Sequence, residues 1–348
     1  MEFYRVNMAS TTYFEIFVIC MILLLPFLYE TSHVFRYYFK FGVYYSMVSI
    51  NSIILIPPML FRPCDVKNLL LASSFCHHIS TVLGLKWELR GKVHLEKEQA
   101  CIIVANHQSS LDILGMFDIW PVMNKCTVVA KRELFFAWPF GLAAWLCGLI
   151  FINRMQSDLA RDHLNKASTN LKNKKIKLWI FPEGTRRNTG QLHPFKKGAF
   201  HVAIDAQIPI LPVVFSSYQT FLDDKNKHLN SGHIIITTLP PIPTAGLTKI
   251  DLDQLIQKTY DTMNNVYQLT SKEVVEELES TERSLKKKSS FVTRAMNTAS
   301  TFASNIRSDS INSSRHCVID DDTNEFSHQY TTIIQKHNHR VTSPPTAN

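Results

Sequence analysis

Residues 101–112 read CIIVANHQSSLD, and residues 177–186 read KLWIFPEGTR. In each stretch a short β-prone run leads directly into a polar segment. Such runs predict strands, and loops at the carboxyl ends of strands carry the functional residues of α/β proteins. The two stretches therefore predict an α/β fold in which the loops that follow two strands form one polar site.

The first loop holds a histidine and a carboxylate. His107 and Asp112 are five residues apart, so on one continuous helix they would lie on different faces. They can meet if His107 lies in the turn after the strand and Asp112 in the first turn of the next helix, for which Ser109 is the predicted N-cap. A carboxylate on one imidazole nitrogen makes the other a better proton acceptor. This arrangement is typical of a general base that acts on an alcohol or thiol.

Other readings of the first loop remain open. Ser109 and Asp112 also fit a purely structural helix start, with Asp112 near the helix dipole. A serine nucleophile is disfavoured because neither Ser109 nor Ser110 has the flanking glycines of a G-x-S-x-G turn. A zinc site is disfavoured because no further His or Cys residues occur at ligand spacing.

The second loop combines turn residues with a cation. Pro182 and Gly184 favour a sharp turn. Arg186 offers a bidentate fork to a phosphate, and Glu183 is a candidate to orient an arginine or a substrate hydroxyl. The alternative is a β-turn with a solvated Glu-Arg pair. Lys131 and Arg154 also follow β-prone runs (127–130 and 149–152), and three such cations at strand ends would form an anion pocket.

Four blocks of this sequence, in order, resemble the glycerolipid acyltransferases, most closely the 1-acylglycerol-3-phosphate (lysophosphatidic acid) acyltransferases. The blocks are NHQSSLD (106–112), GLIFINR (148–154), FPEGTR (181–186) and IPILPVV (208–214), with KREL (131–134) between the first two. The resemblance implies a PlsC-like α/β fold, a central mixed sheet flanked by helices. It also implies an N-terminal two-helix membrane motif next to the catalytic domain.

The resemblance implies a reaction and a set of site residues. His107 would be the general base and Asp112 would orient it, so that the sn-2 hydroxyl of lysophosphatidate attacks the thioester of acyl-CoA and gives phosphatidic acid. The residues assigned to the substrate phosphate are Lys131, Arg154, Glu183, Gly184, Thr185 and Arg186. The Glu-Gly-Thr-Arg form of the third block favours lysophosphatidate over glycerol 3-phosphate as acceptor. Acyl-CoA is a co-substrate, and neither a cofactor nor a metal is expected.

Residues 1–62 are predicted to form membrane-associated helices. Residues 16–29 form a charge-free run that contains Pro26, and residues 41–61 form a second one that is long enough to span a bilayer. Pro57 and Pro58 are expected to end or kink the second helix. Whether the pair spans the bilayer or re-enters one leaflet stays open.

Residues 63–270 are predicted to form the catalytic domain. The expected strands are 101–105, 127–130, 149–152, 177–181, 210–215 and 233–238. One helical face is predicted from Leu159, His163, Leu164, Ala167 and Leu171. The uncharged stretch 134–150 is expected to be core and lipid contact, and its Trp138, Pro139 and Trp145 also suit a membrane-facing surface or an acyl-chain tunnel.

Residues 271–348 are predicted to form a charged helix and a disordered tail that starts at about Ser289. The net charge of +8 fits work on anionic lipid, and no nucleic-acid motif is present. Seven scattered cysteines indicate reduced thiols and a cytosol-facing domain, here on the endoplasmic-reticulum membrane. No protein partner is indicated. The alternatives are the same chemistry on glycerol 3-phosphate or a lysophospholipid, or a non-catalytic membrane protein that binds anionic lipid.

Overall fold

The computed structural model describes residues 2–153, 164 and 168–312. The strands in this part of the chain are β1 (Leu85–Arg90), β2 (Ile102–Ala105), β3 (Cys126–Lys131), β4 (Ile150–Ile152), β5 (Lys177–Ile180), β6 (Ile210–Phe215), β7 (Leu222–Asp223), β8 (His228–Leu229) and β9 (Gly232–Thr238). The helices with defined ends are α1 (Glu2–Thr31), α2 (His33–Leu60), α3 (Asn68–Leu83), α4 (Lys92–Glu96), α5 (Asp112–Met123), α6 (Phe140–Leu146), α7 (Gly198–Ala206) and α8 (Leu252–Asn312). Two 3-10 helices cover Arg132–Phe136 and Lys249–Asp251.

Seven of these strands form one mixed sheet in the order β1-β9-β6-β2-β5-β3-β4. The neighbouring strands are parallel except for β6 and β9, which are antiparallel. β2 lies between β6 and β5, and all four of its residues are buried because the sheet is covered on both faces. The carboxyl ends of β2, β3, β4, β5 and β6 therefore meet at one edge of the sheet.

The sheet confirms the predicted fold class, a mixed sheet flanked by helices, and contains all six predicted strands to within one residue at each end. One strand of this sheet was not predicted, nor was the separate two-stranded sheet of β7 and β8. β1 has the sequence LKWELR, whose charged side chains alternate with apolar ones, and it pairs in parallel with β9. It lies at the end of the sheet, where one side of the strand has no neighbour and charged residues are tolerated.

The long helix α2 is part of the core of the catalytic domain as well as a candidate membrane helix. Its buried side chains include Tyr37, Tyr44 and Met59, and this face packs against α3 and α6. Among the described helices, α2 is the one that is long and apolar enough to cross a membrane, by length and composition. Pro57 and Pro58 lie inside its last turn, and the helix ends at Leu60, as expected from its prolines.

The prediction that Ser109 caps α5 is wrong. The helix begins at Asp112, and the residue before it, Leu111, makes no capping hydrogen bond through its side chain. The Asp112 carboxylate itself accepts hydrogen bonds from the backbone N–H groups of Gln108 and Ser109. The Asp112 side chain, in the first turn of the helix, therefore accepts the N–H groups that precede the helix, and a serine cap is not required.

The C-terminal helix is longer than the sequence predicted. α8 continues to Asn312, past Ser289, because residues 252–312 contain neither proline nor glycine to end it. The rest of the predicted tail, residues 313–348, lies outside the described residues. So do Leu159, His163 and Ala167 of the predicted helical face, whereas Leu164 and Leu171 are helical and buried. By its internal contacts the chain divides into Met1–Glu279, which holds the sheet, and a second unit from Ser280.

Two helical glycines give a test of the packing of α5 on the sheet. A Cβ atom on Gly115 would lie 2.7 Å from the ring of Phe215 and 2.8 Å from the ring of Trp87, whereas one on Gly42 would meet nothing within 4 Å. We expect Gly115→Ala to lower the free energy of unfolding by about 1–3 kcal/mol through overpacking. Gly42→Ala should be neutral or stabilise by up to about 1 kcal/mol, because alanine is the better helix former. Denaturant unfolding in detergent measures both, and equal effects would contradict this packing.

Candidate active site

Asn106 joins the ends of two neighbouring strands at the polar edge of the sheet. Its side-chain Nδ2 donates to the carbonyl oxygen of Phe215 at 2.9 Å, and its Oδ1 accepts from the backbone N–H of Phe215 at 2.8 Å. The adjacent Gln108 side chain makes similar bonds to the carbonyl of Ser216 and the N–H of Tyr218. These buried amides fix the loop after β2 against the loop after β6.

His107 and Asp112 form a closely paired dyad in this loop. The distance between His107 Nδ1 and Asp112 Oδ2 is 2.6 Å, and the two side chains are 11% and 1% exposed. Asp112 also accepts the N–H groups of Gln108 at 2.9 Å and Ser109 at 3.2 Å. Because an ionised carboxylate only accepts, the imidazole hydrogen lies on Nδ1 and Nε2 has a free lone pair. The ring can therefore act as a base through Nε2.

An aromatic contact on one face of the ring also fixes the orientation of the imidazole. The ring of Phe181, the first residue after β5, stacks on the His107 ring with centroids 3.9 Å apart and planes 16° from parallel. Rotation of the imidazole would break both this stack and the bond to Asp112. Ser109 and Ser110 point to other partners, since Ser109 Oγ accepts from Leu111 N–H and Ser110 Oγ from the Tyr45 hydroxyl. The geometry favours His107 rather than either serine as the reactive group.

Glu183 is hydrogen-bonded to the backbone of the loop that holds His107. It is buried, unlike the solvated glutamate of an ordinary β-turn. Its Oε1 accepts the backbone N–H of His107 at 2.9 Å. Burial raises the pKa of Glu183 to about 8, and the negative charge of Asp112 adds to the increase. At neutral pH this side chain is therefore mostly an uncharged acid, which does not repel an anionic ligand at the same edge.

The predicted phosphate-binding residues are placed differently from one another. Arg186 and Lys131 are exposed and line the same cavity as His107, and Lys131 Nζ is 3.4 Å from Glu133. Gly184 has φ of +74° and gives the turn of the loop, while the next residue, Thr185, is exposed. Arg154 lies outside the described residues, so its predicted role is neither supported nor opposed.

The sequence analysis missed one cation beside the turn. The side chain of Lys196 crosses Gly184 so closely that a Cβ atom there would lie 2.8 Å from Lys196 Nζ. The backbone N–H of Lys196 donates to the carbonyl of Pro182 at 2.8 Å, which holds the two segments together. The basic pair Lys196-Lys197 shortly after the FPEGTR block was a visible signal for this third cation.

A cavity of about 130 Å³ extends from the dyad into the domain. Its polar members include His107, Arg186 and Lys131, and most of the remainder are apolar side chains from α2, α3, α5, α6 and β3. The stretch 134–150 contributes Leu134, Phe140, Ala143, Ala144, Cys147 and Leu149. A base and cations thus share one cavity with apolar walls, a combination that suits a ligand with an anionic group and an alkyl chain.

Helix α2 reaches the dyad loop through two tyrosines that the sequence analysis did not single out. The hydroxyl of Tyr44 donates to the carbonyl of Ser110 at 2.9 Å, and that of Tyr45 donates to Ser110 Oγ at 3.1 Å. No group of three or more His, Cys, Asp or Glu side chains that could hold a metal ion occurs within residues 2–153, 164 and 168–312.

Comparisons with known proteins place this site in a family. A family model described as Acyltransferase matches residues 86–216. The 1-acyl-sn-glycerol-3-phosphate acyltransferase alpha of Homo sapiens is 39% identical over 244 residues, which cover 70% of this chain and 86% of the human protein. The beta enzyme of Homo sapiens is 36% identical over 253 residues, which cover 72% and 90%. The crystal structure of the LPA acyltransferase PlsC from Thermotoga maritima aligns with a TM-score of 0.44 at 20% identity, covering 71% and 95%.

The raised pKa of Glu183 predicts a dependence of stability on pH. The neutral acid is accommodated fully below the ordinary glutamate pKa of 4.5, and this stability is lost as the pH rises through about 8. Glu183→Gln stays neutral and can still accept the His107 N–H. We therefore expect the variant to gain melting temperature over the wild type between pH 5 and 8.5, by roughly 5 °C. Thermal unfolding in detergent measures this, with the exposed Glu133→Gln as control, and a constant difference across the pH range would contradict it.

Proposed function

The chain belongs to the 1-acyl-sn-glycerol-3-phosphate acyltransferase family, and we propose that it transfers an acyl group from acyl-CoA to the sn-2 hydroxyl of 1-acylglycerol 3-phosphate, giving phosphatidic acid. The observation that carries the mechanism is the 2.6 Å contact between His107 Nδ1 and the buried Asp112 carboxylate. It leaves Nε2 of a fixed imidazole free to accept a proton in a cavity that also holds Arg186 and Lys131.

In this mechanism His107 first accepts a proton and later donates it. Nε2 accepts the proton of the sn-2 hydroxyl while the hydroxyl oxygen attacks the carbonyl carbon of the thioester. Asp112 stabilises the imidazolium that forms. When the tetrahedral intermediate collapses, the C–S bond breaks and the proton returns from Nε2 to the sulfur of coenzyme A. The protein ends in its starting state, and the proposed mechanism includes neither a cofactor nor a metal.

The acceptor is proposed to bind by its two chemically different ends. Arg186 offers a bidentate fork to the phosphate, with Lys131, Lys196 and Arg154 as further candidate cations. Because Glu183 is largely neutral, it does not offset the attraction of these cations for a phosphate dianion. The apolar walls contributed by α2, α5 and α6 suit an acyl chain of one of the substrates.

We further propose that the protein works on the cytosolic side of the endoplasmic-reticulum membrane. The exposed face of α2 is apolar, with Ile50, Ile53 and Ile54 about half exposed, and its opposite face packs on the catalytic domain. A lipid bilayer would cover that outer face and would also supply lysophosphatidate. Reduced cysteines are consistent with the cytosolic side, and all six described cysteines are free thiols.

Replacement of the proposed base tests the mechanism. His107→Ala should lower kcat by at least roughly 10²–10⁴-fold, the usual contribution of general-base catalysis. Asp112→Asn should also impair turnover, because an amide no longer stabilises the imidazolium or fixes the tautomer. The measurement is transfer of labelled acyl groups from acyl-CoA by purified protein. His78→Ala, on the exposed surface of α3, is the matched control. Normal turnover by a folded His107→Ala protein would exclude the mechanism.

Substitution of Arg186 tests how the acceptor is bound. Arg186→Lys keeps the charge but loses the bidentate fork, so the apparent KM for lysophosphatidate should rise while that for acyl-CoA changes little. The neighbouring Arg187→Lys is the matched control, since the Arg187 guanidinium faces His193. Assays with glycerol 3-phosphate and lysophosphatidylcholine as acceptors separate the proposed substrate from the alternatives. Equal effects on both substrates would assign Arg186 to the structure of the loop instead.

A further inference from the structure

Six large apolar side chains are exposed at the end of α2 and in the segment that runs from the first 3-10 helix through α6. We call this set the aromatic patch, and its members are Leu60, Phe61, Phe135, Phe136, Trp138 and Trp145. Phe61, Trp138 and Phe136 are 88%, 73% and 72% exposed, which is unusual for aromatic residues. Exposed apolar groups that occur as a group, rather than singly, mark sites of interaction with a protein or a membrane.

The two segments that carry the aromatic patch are adjacent in the fold. Asn68 Nδ2 donates to the carbonyl of Arg62 at 2.8 Å and to that of Leu146 at 2.9 Å, which joins the end of α2 to the end of α6. At the other end of α6, Gly141 is in direct contact with the backbone of Phe135. α6 has seven residues and is therefore only about 10 Å long, so both ends lie within one patch.

Positive charge accompanies the aromatic patch. Arg62 and Lys67 follow its α2 end, Lys131 precedes the first 3-10 helix and Arg132 begins it, and all four residues are exposed. Two carboxylates, Asp65 and Glu133, occur in the same segments, so the cations are in excess. Tryptophan and phenylalanine beside basic residues are typical of protein surfaces that lie in the interfacial layer of an anionic leaflet.

The segment from the first 3-10 helix through α6 also forms a wall of the cavity next to His107. Leu134, Phe140, Ala143 and Ala144 line the cavity, while Phe136, Trp138 and Trp145 of the same stretch face outward. We propose that the aromatic patch inserts into the membrane leaflet, as a second lipid contact besides the apolar face of α2, and thereby places the cavity wall against the acyl chains. This inference rests on the proposed function, in which the substrates reside in the bilayer.

Fluorescence of the full-length chain in vesicles tests the insertion without any reaction. The vesicles contain phosphatidylcholine brominated on its acyl chains and an acidic phospholipid. We expect Trp138→Phe to remove a large part of the tryptophan emission that bromine quenches. The matched control adds Ile250→Trp to that variant. Ile250 is 93% exposed and follows Leu247, whose carbonyl accepts from Gln207 shortly before β6, at the edge of the sheet opposite His107. The added tryptophan should not restore quenching by bromine.

The outcomes of this experiment are distinct. An unchanged quenched fraction in Trp138→Phe overturns the proposal, and so does equal quenching of a tryptophan at position 250. Protection of Trp138 from both bromine and aqueous iodide would also overturn it and would assign the patch to a second copy or another protein. The quenching experiment measures no turnover. A protein that failed to acylate lysophosphatidate would refute the proposed function, and the quenching would still test the insertion of the patch.

A kinetic experiment tests what the insertion is for. We expect the combined variant Phe136→Ser and Trp138→Ser to raise the apparent KM for lysophosphatidate in vesicles by roughly tenfold, as expected from the loss of buried aromatic area. In detergent micelles its kcat should match that of the wild type, which shows that the fold is retained. Ile250→Ser is the control with unchanged KM. A wild-type KM of the combined variant in vesicles would contradict the proposal.

Discussion

The arrangement of this site depends on one buried carboxylate. Asp112 is 1% exposed and accepts from His107 Nδ1 and from the backbone N–H groups of Gln108 and Ser109. A charge removed from water must be compensated by donors, so the loop after β2 is required to wrap around this carboxylate. The same contacts begin α5 and orient the imidazole. Local structure and catalytic geometry thus have one common cause.

The neighbouring carboxyl group shows the opposite solution. Glu183 has one backbone donor and lies close to the charge of Asp112, and burial raises its pKa to about 8. The Asp112 carboxylate accepts from three donors, whereas Glu183 accepts from one and burial favours its neutral form. Glu183 therefore adds little negative charge to the edge of the sheet that carries Arg186 and Lys131.

Helix α2 connects an exposed apolar face of the molecule to the loop that holds His107 and Asp112. Its outer face is apolar and exposed, while Tyr44 and Tyr45 bond to Ser110 within the dyad loop. Met59, near its end, lies 3.7 Å from Cys147 after α6 and lines the cavity. A change in the position of α2 would move both the loop and the cavity wall. The helix is therefore part of the cavity wall as well as a candidate membrane helix.

The sequence by itself determined the strands and the identity of the dyad. The runs at 101–105 and 210–215 are apolar enough to be recognised as buried strands, and His107 and Asp112 are close along the chain. It did not determine β1, whose charged residues are stabilised by pairing with the distant β9, nor the start of α5, where the cap comes from Asp112 rather than Ser109. Only the tertiary structure buried Glu183 under His107 and brought Tyr44 and Lys196 to the site. The contacts of Glu183 and Tyr44 join residues 76 and 66 positions apart, and burial and charge at such positions depend on what the rest of the fold places around them.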